Sequence, residues 1–315
     1  MHRNEVPFRF DPCPMNRFHP ALPGLRLSLR LWLPGLLLLS PVLPRLRAAD
    51  AAANAVAATS APPAAPLFLD RNLESAVRKF VFEKRDNDKP LVEADLATLS
   101  TIEAKGLAIT NLAGLEKCRE LASLDLSRNK IADLSPLKDL SRLQSLSLSD
   151  NAVQDLSPLG SIAALQYLEL SRNKVKDLQP LAGCTNLSAL YLSQNAVEEI
   201  APLHQLTRLS SLYLDQNRLK SIEGLGRIRG LFTLSLSQNQ ISDVKPLTGL
   251  TGLSSLFLEG NKIKDLAPLV EWAAADKEQR FAPFLNLYLK GNPLSSAAKG
   301  KQTSALKEIG VRVNP

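Results

Sequence analysis

At 315 residues, with 45% hydrophobic residues, the chain is long enough for one elongated or two compact domains and has the composition of a folded, soluble protein. Its formal net charge of +7 comes mostly from positions 1–48, where seven Arg stand against two acidic residues. From Ala49 onward 31 basic residues face 29 acidic ones, a balance that excludes the electrostatic footprint of a nucleic-acid-binding protein.

Residues 1–48 read as a secretory signal peptide. Basic Arg17, Arg26 and Arg30 precede an apolar run from Leu31 to Pro44, and small residues follow Arg47. The run is shorter than the roughly 20 apolar residues a spanning helix requires, and Pro34, Pro41 and Pro44 interrupt it, so stable membrane insertion is not expected once the leader is removed. Met15 offers an alternative start, since the stretch before it is acidic and proline-containing. Cleavage is expected near Ala48 or Ala49. Cys13 precedes the apolar run and is therefore no lipoprotein acceptor.

Residues 49–66, rich in Ala and Pro, have almost no side chains able to build a core and read as a flexible tether. Residues 67–98 are expected to form a helical N-terminal cap. There Leu73, Ala76, Val77, Phe80 and Val81 recur at helical spacing behind Asp70, which suits a helix N-cap.

Residues 99–283 are periodic. Asn129, Asn151, Asn173, Asn195, Asn217, Asn239 and Asn261 stand 22 residues apart, and Asn292 follows after 31. Counting Leu121 as position 1, the unit runs LxxLxLSxNxIxDLSPLxxLxx. Positions 4 to 6 are predicted to form a short strand with both leucines inward, and the position-9 Asn to bond backbone groups at the turn. One unit cannot cover its own apolar side chains, so the units must stack into an array that is capped at both ends. Residues 99–120 have Leu107 in place of the asparagine and read as a degenerate first unit. The nine extra residues before Asn292 predict a helical excursion near 271–283, and residues 284–315 read as the last repeat with a closing helix and strand.

This pattern resembles the leucine-rich-repeat family, in particular the 22-residue bacterial repeats of the internalin type, over about residues 67–315. The resemblance implies an α/β solenoid, curved, with a parallel β-sheet on its concave side. Surface adhesion would follow from the same likeness. No C-terminal sorting motif or hydrophobic tail accompanies the repeats, however, and attachment to a cell wall is not expected.

Catalysis is not expected. His204 is the single histidine after the leader, no Cys cluster accompanies it, and neither a zinc constellation nor a phosphate-binding loop is present. No metal or cofactor is anticipated. Cys118 and Cys184 fall at position 20, where other repeats carry Leu or Ile, and read as core fillers. Three strand spacings of about 4.8 Å hold them apart, beyond the reach of about 7 Å that a disulfide tolerates. The acidic row Asp133, Asp155, Asp177, Glu199, Asp243 and Asp265 at position 13 reads as turn chemistry, with a calcium-binding row as the alternative.

Strand alternation exposes positions 3, 5, 7, 8 and 10 on the concave side. All four tyrosines lie there: Tyr167 at position 3, and Tyr191, Tyr213 and Tyr288 in the position-5 column with Phe257. With Glu169, Arg172, Gln194 and Gln216 around them, they are the expected partner-binding residues, able to bury area and still use their hydroxyls. Such a surface suits a protein or peptide ligand of a monomeric, exported scaffold in the periplasm or outside the cell. Two other functions are consistent with the sequence: an intracellular regulatory scaffold of the phosphatase-regulator type, and a glycan-binding module.

Overall fold

The computed structural model describes residues 66–315. The expected signal peptide, and all but the last residue of the expected tether, lie outside the described residues.

Helix α1 (Arg71–Arg78) begins where Asp70 accepts hydrogen bonds from the amides of Asn72 and Leu73, at 2.9 and 3.2 Å. Its buried stripe is Leu73, Ala76 and Val77. The same carboxylate also accepts from the Thr110 amide at 2.8 Å, tying the helix to the first repeat. A short helix, α2 (Glu93–Leu96), follows, with turns between the two.

Ten three-residue strands then form one parallel sheet in sequence order: β1 (Thr101–Glu103), β2 (Ser123–Asp125), β3 (Ser145–Ser147), β4 (Tyr167–Glu169), β5 (Ala189–Tyr191), β6 (Ser211–Tyr213), β7 (Thr233–Ser235), β8 (Ser255–Phe257), β9 (Asn286–Tyr288) and β10 (Arg312–Asn314). The strands occupy positions 3 to 5, one residue earlier than positions 4 to 6. Amides at positions 6 and 8 nevertheless continue the ladder, as Leu126 N to Ser147 O and Arg128 N to Ser149 O, both 2.8 Å.

The chain returns to the next strand through tight 3-10 turns. In Ser135–Leu137 the proline supplies a fixed φ for the first turn, and the Leu137 amide bonds Leu134 O at 2.9 Å. The position-13 aspartates act as turn caps: Asp133, Asp155, Asp177 and Asp243 each accept the amide two residues on at 2.8 Å, and Asp265 does so at 3.1 Å.

Seven positions per unit are closed to solvent. In the unit from Leu121 these are Leu121, Leu124, Leu126, Ile131, Leu134, Leu137 and Leu140, none above 1% exposed. Cys118 and Cys184 are buried free thiols in this core, and burial pushes the Cys118 thiol up to about 12.

The asparagines join units. Asn173 Nδ2 donates to Leu148 O of the preceding unit at 2.8 Å and to Leu170 O of its own at 3.0 Å, while its Oδ1 accepts the Val153 amide at 2.9 Å. The degenerate first unit borrows from the next: Asn129 Oδ1 accepts both the Leu107 and Ile109 amides at 3.0 Å.

Position 8, directly before each asparagine, is left-handed throughout. Arg128, Asp150, Arg172, Gln194, Gln216 and Gln238 have φ between 54° and 58°, and Gly260 has 65°. At Gly260 a side chain would also meet the Gln238 amide, with a Cβ 2.4 Å from Nε2.

The expected excursion differs in its start. Helix α3 (Ala267–Ala274) opens on Ala267-Pro268-Leu269, the unit's own turn, so the helix begins four residues before 271 and ends well before 283. Asp276 then gathers the amides of Arg280, Phe281 and Ala282, and Trp272 stacks on Phe281 with ring centroids 4.4 Å apart. Helix α4 (Thr303–Ile309) packs on β10 and closes the far end. Among the described residues no helix is long and apolar enough to cross a membrane.

Candidate functional site

Each strand turns positions 3 and 5 toward the open face, and the in-register pairing aligns these into columns. The position-5 column runs Asp125, Ser147, Glu169, Tyr191, Tyr213, Ser235, Phe257, Tyr288.

The rings are half-buried and fall into two groups. Tyr191 and Tyr213 stack with centroids 4.9 Å apart and planes 14° from parallel. Tyr167 stands in the neighbouring column opposite Ala189, whose small side chain lets its ring tilt onto Tyr191, at 5.4 Å and 45°. Phe257 and Tyr288 form the second stack, at 4.5 Å and 11°. Ser235 on β7 separates the groups, so the nine expected residues do not form one continuous patch.

Glu169 neighbours Tyr191 in the column and accepts the Ser171 amide at 2.7 Å. Burial beside the rings lifts its carboxyl above the ordinary value. Burial also pushes the Tyr167 phenol up to about 12, with the Glu169 charge adding to the effect, and raises Tyr191 for the same reasons. Arg172 pairs with Asp150, its Nη2 2.7 Å from Oδ2. This hydrogen bond holds the Asp150 carboxyl low and the guanidinium high. Gln194 and Gln216 are exposed at left-handed position 8, beyond the strand ends.

Two residues that the tyrosine pattern did not single out, Asp215 and Glu259, also belong to this face. Asp215 reaches from the end of β6 across β7, where Oδ1 accepts from Ser235 Oγ and from the Ser237 amide at 3.0 Å, and Oδ2 accepts from Ser193 Oγ at 3.1 Å. Glu259 follows β8 at the same position 7. A signal exists in the sequence, since Ser127, Ser149, Ser171, Ser193 and Ser237 fill that position elsewhere and only the sixth and eighth strands carry acids there.

Comparison with known proteins agrees with this architecture. A model of paired leucine-rich repeats matches residues 141–183, 185–227 and 229–271. No curated protein matches in sequence. Among solved structures the chain is similar to internalin C2 of Listeria monocytogenes, with 31% identity, a TM-score of 0.63, and coverage of 73% of this chain and 95% of that one. A second Listeria monocytogenes internalin shares the fold at 22% identity and a TM-score of 0.53, covering 79% of this chain and 89% of its own. A leucine-rich-repeat protein of Leptospira interrogans does so at 22% and 0.57, covering 65% of this chain and 57% of its own. With its 22-residue ladder, open parallel sheet and capped ends, the chain belongs to the bacterial leucine-rich-repeat proteins of the internalin type.

Proposed function

We propose that this protein is an exported, non-enzymatic scaffold that works as a monomer and holds a protein or peptide on the concave face of its sheet. One observation carries the reading: Tyr167, Tyr191 and Tyr213 form a contiguous, half-exposed ring cluster, and a second stack, Phe257–Tyr288, lies further along the same face. Rings of this kind supply large contact area with little side-chain entropy to lose, which is why they dominate binding energy in protein interfaces. Arg172, Gln194 and Gln216 give the rim polar groups that set orientation.

The test is capture of partners from the envelope fraction of the source organism, comparing the full chain with a Tyr191→Ala, Tyr213→Ala, Phe257→Ala variant whose thermal unfolding is unchanged. A partner identified with the parent and bound at least about a hundredfold more weakly by the variant, as expected when hot-spot rings worth about 2 kcal/mol each are removed, supports the concave site. Equal capture moves the site elsewhere. Export itself is tested by fractionation and by sequencing the mature N-terminus, expected near Ala48 or Ala49.

A further inference from the structure

The two ring stacks face each other across β7. Tyr213 and Phe257 belong to the same column, with Ser235 between them as its single small member from Tyr191 to Tyr288. Ser235 is only 5% exposed, whereas Ser147, lying between Asp125 and Glu169 in the same column, stays half-exposed. A small, buried side chain thus stands in the column between two ring-bearing strands, and the in-register pairing leaves a gap above it. Two strand spacings set the rings that wall this gap about 9.5 Å apart. A flat group in van der Waals contact with both faces occupies about 7 Å. One planar group fits, touching both rings when they close on it by about 2.5 Å, and two do not fit.

Charge surrounds the floor of this slot. The Asp215 carboxylate lies on it, hydrogen-bonded to the Ser235 hydroxyl and the Ser237 amide. Glu259, half-buried on the strand that carries Phe257, has no ion pair or side-chain hydrogen bond among the described residues, and Asp215 has no ion pair there either. Of the basic residues on the neighbouring strands, Arg218 lies 3.9 Å from Glu198, Lys262 donates to Gln240, and exposed Lys290, next in the row after β9, forms no ion pair with Glu259. Acids thus occupy position 7 only on the two strands that supply the walls.

We propose that this slot takes the guanidinium of an arginine side chain from the protein partner, sandwiched between Tyr213 and Phe257 and hydrogen-bonded to Asp215, with Glu259 beside it. Resting on the concave-face reading above, it names the group on the partner that the face recognises. A guanidinium is planar, permanently charged and able to donate to a carboxylate along its edge while stacking on rings. An ammonium lacks the plane. A neutral sugar would meet the walls and could donate its hydroxyls to the carboxylates, but it would leave their two charges uncompensated.

The probes are capped pentapeptides, Gly-Gly-X-Gly-Gly, with Arg, citrulline, Lys or Trp at the centre, and maltohexaose, titrated into the full chain by ligand-observed NMR up to about 10 mM, the range where single-residue contacts are measurable. The Arg peptide is expected to bind at least about tenfold tighter than citrulline, its neutral planar counterpart. Asp215→Asn and Glu259→Gln should each weaken it at least about fivefold. Ser235→Phe, which continues the column as Phe257 does, should abolish it. Equal binding of citrulline, Lys or maltohexaose, retention of the Arg peptide by Ser235→Phe, or no binding of the Arg peptide in this range would overturn the assignment. A Ser235→Phe protein that still captures the partner lost by the triple ring variant would overturn the slot and leave the concave face standing. A partner kept by every variant overturns the concave reading itself.

Discussion

The imidazole of His204 occupies the space that a side chain at Gly224 would need. A Cβ there would lie 2.3 Å from His204 Cε1 and 2.6 Å from Nε2. Gly224 stands where six other units carry the turn proline and the first unit carries Gly114, and it adopts φ of 78°. The two residues are thus matched across neighbouring units, one large and one absent. Gly224→Ala should destabilise the array by about 2–4 kcal/mol, combining the left-handed penalty with overpacking. In the His204→Ala background the overpacking share should vanish and about 1–2 kcal/mol remain. Denaturant unfolding of the four proteins in this cycle measures the coupling, and additive effects would contradict it.

Asn217 is 8% exposed and saturated by its neighbours: Nδ2 donates to Leu192 O and Leu214 O, and Oδ1 accepts the Val197 amide. Asn217→Ala leaves those backbone groups buried and unpaired, at about 1–3 kcal/mol apiece before relaxation. The expected loss is about 2–4 kcal/mol. Exposed Lys220→Ala in the same unit should stay within about 0.5 kcal/mol. Comparable losses for the two would mean that the ladder bonds contribute little.

Much of this was legible beforehand, for reasons that particular residues make plain. The interval between asparagines sets the repeat length, and leucines at positions 4 and 6 identify the inward side of each strand, so strand order and columns follow. Helix α3 was misplaced at its start because Ala267-Pro268-Leu269 reads as an ordinary turn until the residues after it continue the helix. The left-handed ladder was not legible from Arg128, Asp150 or Gln194, which carry no strong signal for that conformation, although Gly260 and Gly291 stand at the same place. The reach of Asp215 across to Ser235 and Ser237 is a side-chain conformation, and a column of letters does not contain that.

Position 8 gives a further test. At φ of 54°, Gln216 tolerates its left-handed backbone because its side chain is unbranched at Cβ. Gln216→Val should cost about 1–2 kcal/mol relative to the parent, whereas Gln216→Gly should be close to neutral, backbone relief being offset by added chain entropy when unfolded. Equal stability of the Val and Gly variants in thermal unfolding would argue against the strained turn.

Two carboxylates set opposite trends with pH. Burial works against ionisation of Asp70, but the amides of Thr110, Leu73, Asn111 and Asn72 outweigh it and hold the carboxyl below its ordinary 3.8. Its stabilising contribution is therefore complete above 3.8 and lost as pH falls through the lower folded value. Glu169 is raised above 4.5 by burial. It favours the folded state below 4.5, and that contribution is lost as pH rises through the higher folded value. Asp70→Asn should flatten the acid limb of stability against pH, and Glu169→Gln should raise stability toward neutrality. A Glu169→Gln protein less stable than the parent at about pH 7 would contradict the assigned sign.

Because every strand between β1 and β10 has one neighbour on each side in the same register, distance along the concave face is counted in whole units. Recombination between the units therefore moves the rings of this face by whole strand spacings. Excising residues 231–252 would bring Tyr213 beside Phe257, merge the two stacks into a four-ring column and erase the gap between them. Duplicating the same segment would widen that gap by one strand.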